Sequence, residues 1–244
     1  MQRRRAGGRA RRGRESNRRR SRADSPMKTR DRILEAALAL FNEEGVAKVS
    51  TNRIATELAI SPGNLHYHFK TKEQLVEWLF RRLEKEISPF TDAGDSLTAL
   101  DDVWLTLHLA FETSEKYRFV YVDIDHLARE YPRIGVRIRK MTAGAINSTR
   151  AMCRNLARLG VIVAEADQMD SLAFQIVLTA TCWCTFARLV PVKDPASMAS
   201  GLAAYHALAL LNPYLAEEAR HYMNYLRGKY LKQSASKGLV LSDN

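Results

Sequence analysis

From residue 28 onward, apolar positions recur every three to four residues, and no stretch shows the strict alternation of a half-buried strand. Ile33, Ala36, Ala37, Leu40 and Phe41 fall on one face of a predicted helix over 29–44, with Thr29 as its expected cap and Gly45 placed to end it in a left-handed conformation. Ser50 or Thr51 caps a second, short helix whose inward side is Ile54, Ala55 and Leu58. After a break at Ala59-Ile60-Ser61, a third opens with Pro62 in its first turn, where a missing N–H costs nothing, and runs to Phe69. Thr71-Lys72-Glu73-Gln74 reads as a capping box, with Gln74 reaching back to the Thr71 N–H. The helix it starts carries Leu75, Leu79, Leu83 and Ile87 and is expected to stop before Pro89. Longer helices follow over about 95–115, 117–130, 133–159, 166–190 and 196–212, with stops at Tyr131-Pro132, Gly160, Pro191 and Pro213, and a last one reaches Leu231. The pattern predicts an all-α fold.

Charge changes this picture only at the N-terminus. The net charge is +11, but residues 1–26 hold 11 arginines against Glu15 and Asp24, so the remainder is near neutral. So arginine-rich and apolar-poor a segment cannot bury enough surface to fold, and residues 1–27 and 232–244 are expected to be disordered tails. Met27 directly precedes the first helix signal, which leaves two readings of the tail: a basic arm adding phosphate affinity, or an extension upstream of the true start. No run of about 18 uninterrupted apolar residues is present, so no membrane partner is expected.

Cys153, Cys182 and Cys184 cannot all pair, which favours a reducing, cytoplasmic setting. Cys182 and Cys184 would point about 200° apart on a helix, which argues against a shared metal. No GxSxG, P-loop, HExxH, GxGxxG or CxxC motif occurs, so no enzymatic activity and no cofactor are expected.

Residues 51–69 hold two short helices joined by a tight turn, each too short to be stable alone. Spacing by itself fits a helix-turn-helix or a plain bundle with short connectors. The residues carry more. Arg32-Ile33-Leu34-Glu35-Ala36-Ala37 through Phe41 and Gly45, then Ser50-Thr51-Asn52-Arg53-Ile54-Ala55, then Leu65-His66-Tyr67-His68-Phe69-Lys70-Thr71-Lys72, resemble the TetR family of bacterial transcriptional regulators over residues 28–88. One departure is His66, where the family usually carries tyrosine.

The resemblance implies an N-terminal helix-turn-helix domain over 28–75. A shared helix joins it to a helical ligand-sensing and dimerisation domain over 76–231. It also implies a homodimer bound to a palindromic double-stranded DNA operator and released by an unidentified small-molecule effector. Thr51 and Asn52 would touch phosphate or base edges, and Pro62, Gly63 and Asn64 would open the recognition helix. Asn64 would pair with a base edge. His66 and Tyr67 would contact phosphate or a thymine methyl, and Lys72 and Lys48 would hold phosphate. Leu65 and Phe69 are read as core, and His68 as a residue that holds the turn. Trp104, His108, Phe111, Phe119, His126, Met152, Phe174 and Trp183 are candidate effector contacts, with ordinary core packing as the rival reading of each. Gly201, Ala204, Tyr205 and Leu208, together with the helix at 166–190, are candidate dimer contacts, with packing inside the chain as the rival.

Overall fold

The computed structural model describes residues 28–190 and 200–236. Its helices are α1 (Thr29–Glu44), α2 (Thr51–Glu57), α3 (Pro62–His68), α4 (Lys72–Thr91), α5 (Leu100–Lys116), α6 (Arg118–Val122), α7 (Ile124–Glu130), α8 (Pro132–Arg158), α9 (Ala166–Ala187), α10 (Ser200–Ala209) and α11 (Glu217–Ser236). Among the described residues there is no strand, only an isolated bridge between Ile162 and Leu215. The arginine-rich segment, Pro191, the residues expected to open the helix at 196, and the chain after 236 lie outside the described residues.

The short helices start where their caps direct. The Ser50 hydroxyl accepts from the Arg53 N–H at 3.1 Å, Ser61 from Asn64 at 3.2 Å and Thr71 from Gln74 at 3.2 Å, each satisfying an N–H with no partner in its own helix. Three local expectations change. Lys28, not Thr29, precedes α1, and it makes no side-chain cap. The Gln74 side chain accepts from the Lys70 N–H at 2.8 Å rather than reaching Thr71. Helix α4 runs through Pro89 to Thr91, because a proline in the last turn forfeits only one hydrogen bond there. Gly45 and Gly160 do have positive φ, +86° and +73°.

Further along, the expected helix at 95–115 begins only at Leu100, after a 3-10 turn over Gly94–Ser96. Gly94 has a packing reason: a Cβ there would sit 1.9 Å from the Ser148 carbonyl oxygen of α8. The expected helix at 117–130 is two, α6 and α7, broken at Asp123. Helix α11 passes the expected end at Leu231 and reaches Ser236.

Two buried clusters hold the molecule together. The first joins Ile33, Phe41, Ile54, Leu65, Phe69 and Leu79 to Phe119, Leu127 and Ile134, so it runs from α1–α4 into α6–α8 across the expected boundary near residue 75. The second packs α5, the C-terminal half of α8, α9, α10 and α11 around Val103, Phe111, Leu156, Ile176, Ala203 and Leu208. Burying each such large side chain contributes about 1.5–3 kcal/mol.

Ala204, Tyr205 and Leu208 lie inside this second cluster and Gly201 is buried in the same helix, which favours packing inside the chain, the rival to their expected role as dimer contacts. A Cβ at Gly201 would meet the Tyr230 ring at 2.5 Å, so the small residue accommodates α11 of the same chain. The outward apolar face belongs to α9. Phe174, Leu178, Cys182 and Phe186, each four residues apart, are all exposed. By length and composition α9 is also the helix, among the described residues, that is apolar enough to cross a membrane.

Candidate nucleic-acid interface and ligand cavity

In α3, Leu65 is buried, and Phe69 just beyond the helix end is buried with it. Helical geometry then turns Gly63 and Tyr67 directly outward and sets Asn64 and His66 on the flanks. Asn52, Pro62, Gly63, Asn64, His66 and Tyr67 are exposed, Tyr67 at 78%, and Thr51 is half-buried. A Cβ at Gly63 would meet nothing nearer than the Ser61 hydroxyl at 4.0 Å, so the space before this helix is open. His68 is half-buried and packs edge-on against Tyr67, ring centroids 5.2 Å apart.

Cationic groups flank this surface. Lys48 is exposed. The Lys72 ammonium donates to the Ala47 carbonyl at 3.5 Å, and partial burial lowers its pKa. Among the described residues this ammonium has no anionic partner, and it would gain from one. Sequence reasoning missed Trp78. The Arg30 guanidinium lies 3.9 Å from its ring centroid and 5.1 Å from that of Phe69, which fixes the cation beside the start of α4. The only sequence signal was an aromatic residue on the polar side of an amphipathic helix.

A polar clamp ties α1 to α6. Asn42 donates to the Lys116 carbonyl at 2.9 Å and accepts from the Phe119 N–H at 3.0 Å, while Asp123 accepts from the Val46 N–H at 2.9 Å. The Phe41 and Phe119 rings pack 5.6 Å apart beside it. Helix α4 is held separately. Arg82 bonds Asp31 at 2.8 Å and Glu35 at 2.7 Å, and Arg137 pairs with Glu84. Glu86 accepts from Lys116 at 2.6 Å and Tyr117 at 2.7 Å. Burial pushes the Glu86 pKa up, but these two donors win and hold it below the ordinary value.

Between the two clusters lies a cavity of about 110 Å³, walled by the end of α4, by α5, α8 and α9, and by Tyr121 of α6. Burial pushes the Tyr121 hydroxyl up to about 12, and Ser114 is its partner. Of the expected effector contacts, Phe111 and Met152 line this cavity. The other six do not. Trp104 stacks on His108 at 5.0 Å and on Tyr230 at 5.6 Å. Phe119 is core, Trp183 packs on Phe111 and His206, His126 lies against Tyr131, and Phe174 faces outward. The lining that was missed includes Met141, Thr142, Ala145, Ser148 and Thr149, which with Met152 form one stripe along α8. Their three-to-four spacing was legible, but the neighbour they face was not.

A family profile described as bacterial regulatory proteins of the tetR family matches residues 33–79, and one described as bacterial transcriptional repressor matches residues 82–223. The HTH-type transcriptional regulator SAB2452 of Staphylococcus aureus is 48% identical over 70 residues, 28% of this chain and 38% of that protein. The HTH-type transcriptional repressor KstR2 of Mycolicibacterium smegmatis is 34% identical over 83 residues, 31% of this chain and 40% of that one. The chain thus spans about two fifths of the length of these curated relatives. The crystal structure of a TetR-family transcriptional regulator from Marinobacter aquaeolei superposes with a TM-score of 0.76 at 32% identity, covering 84% of this chain and 99% of that one.

Proposed function

The chain belongs to the TetR family of bacterial transcriptional regulators, and on that premise we propose that it binds a palindromic DNA operator as a homodimer and is released by a small-molecule effector. The observation that carries this reading is the division of α3, with Leu65 and Phe69 buried and Gly63, Asn64, His66 and Tyr67 presented outward. In a major groove about 12 Å wide, Asn64 would bond a base edge, and Gly63 would let the backbone approach. Thr51 and Asn52 would touch phosphate or base edges, and Lys48 and Lys72 would set the register on phosphate. Residues 28–75 form the reading domain in this account, 76–231 the sensing and dimer-forming domain, and α4 serves both. The setting is the bacterial cytoplasm, and no catalytic role is assigned.

The dimer face is the exposed stripe of α9, Phe174, Leu178, Cys182 and Phe186. Effector binding in the cavity reaches the reading domain by two elements that wall it. Helix α4 contributes Ile87 and Thr91 to the cavity at one end and Lys72 to the DNA side at the other. Helix α6 contributes Tyr121 to the cavity, and its Phe119 N–H is clamped to α1. A 100-fold loss of DNA affinity requires a coupling of about 2.7 kcal/mol between the two sites.

Selection of bound duplexes from a random DNA pool tests the reading. The expected outcome is a two-fold palindrome with half-sites about 34–36 Å apart or a multiple of that. A pool that enriches no consensus would contradict it.

A further inference from the structure

We infer that the cavity takes a small, uncharged, mainly apolar molecule carrying one hydroxyl or carbonyl group, and rejects carboxylates and amines of the same shape. The inference rests on the reading of this cavity as the effector site. Among the described residues that line it there is no Asp, Glu, Lys, Arg or His. Of the charged groups on the surrounding helices, Glu84 is engaged with Arg137, Glu86 with Lys116 and Tyr117, and Arg150 with Asp170. An ion entering the cavity would therefore shed its hydration and meet no counterion.

The polar groups that do line it are neutral hydroxyls. Four have partners: Ser148 receives the Gly94 N–H at 3.0 Å, Thr91 donates to the Asp92 carboxylate at 3.4 Å, and Ser114 donates to the Ala110 carbonyl and partners Tyr121. Thr142 and Thr149 stand seven residues apart on the same face of α8. A threonine hydroxyl both donates and accepts, which suits one neutral polar atom on the ligand.

Size narrows the class. An apolar protein cavity of about 150 Å³ holds benzene, so 110 Å³ matches a single ring or a short chain. Met141 and Met152, near the two ends of the α8 stripe, are adaptable enough to admit a molecule somewhat larger than the empty space.

Three probes of one shape test this: benzyl alcohol, benzoate and benzylammonium, each titrated at pH 7 into the full chain labelled with ¹³C at its methionine methyls. Met141→Leu and Met152→Leu assign the two resonances. The expected result is a saturable shift of both with benzyl alcohol, with Kd at least ten-fold below that of either ion. Equal or tighter binding of an ion at these resonances, or no saturable shift with benzyl alcohol, overturns the inference. Thr142→Asp adds a second arm, in which benzylammonium should gain and benzyl alcohol lose; the unmodified chain decides the matter if that variant does not fold. A parallel titration of the complex with the selected operator separates the two levels. If benzyl alcohol binds without weakening the DNA complex, the ligand class stands and the effector reading fails. If an ion releases DNA through this cavity, the effector reading stands and the ligand class fails.

Discussion

Trp78 and Arg30 illustrate how a single side chain acts on the interface without touching it. Stacked at 3.9 Å, the guanidinium loses part of its freedom before any DNA arrives, so less entropy would remain to be lost if Arg30 serves, as we propose, as a phosphate contact. Arg30→Ala is expected to weaken binding to all duplex sequences alike and to reduce the slope of log affinity against log salt by about 0.9. Anisotropy titrations at several salt concentrations check this. A loss confined to the operator sequence would assign Arg30 to base reading instead. The residue scale was also where the sequence was most legible. Ser50, Ser61 and Thr71 cap as their local pattern indicates, since an N-cap needs only the residues three ahead of it. Gln74 departs because the Lys70 N–H offered its amide a competing donor.

At the scale of elements, the break between α6 and α7 was invisible in the sequence because its cause is distant. The Phe119 N–H is taken by Asn42, and the Asp123 side chain by the Val46 N–H, both more than seventy positions back along the chain. In the proposed switch the same clamp would give α6 its mechanical role, since Tyr121 reaches the cavity from the helix that Asn42 holds. Asn42→Ala removes two hydrogen bonds worth about 0.5–1.5 kcal/mol each. It is expected to lower stability to denaturant by roughly their sum while DNA affinity without effector stays within a few-fold of the original. The effector concentration needed for release should rise, because one of two couplings is gone. An unchanged effector response would assign transmission to α4 alone. The α8 stripe teaches the complementary lesson: the three-to-four spacing of Met141, Ala145 and Met152 sets them on one face, yet a cavity wall and a filled core give the same pattern.

For the whole molecule, the second cluster explains why small residues misled. Gly201 and Ala204 are small enough for close approach, but at Gly201 what approaches is the Tyr230 ring of α11 in the same chain, and Ala204 is buried inside the second cluster. The unsatisfied apolar surface lies on α9 instead, where Phe174 and Leu178 are each more than half exposed. Phe174→Glu with Leu178→Glu is expected to convert dimer to monomer in analytical ultracentrifugation and to lower operator affinity at least ten-fold. Thiol titration reads the same change. Cys182 should be slow to react in the dimer and fast in the monomer. Cys153 and Cys184, whose burial pushes their pKa to about 11 and about 12, should stay unreactive at neutral pH in both. A double variant that remains dimeric would place the interface elsewhere.

The most direct measurement is the affinity of the Asn64→Ala, Lys72→Ala double variant for the selected operator, set beside that of the unaltered chain and of a scrambled duplex, with circular dichroism confirming the helical fold. The expected result is a loss of at least 100-fold on the operator, bringing it close to the scrambled duplex. Operator affinity left intact in a folded double variant would contradict the assignment of α3 and the start of α4 to DNA.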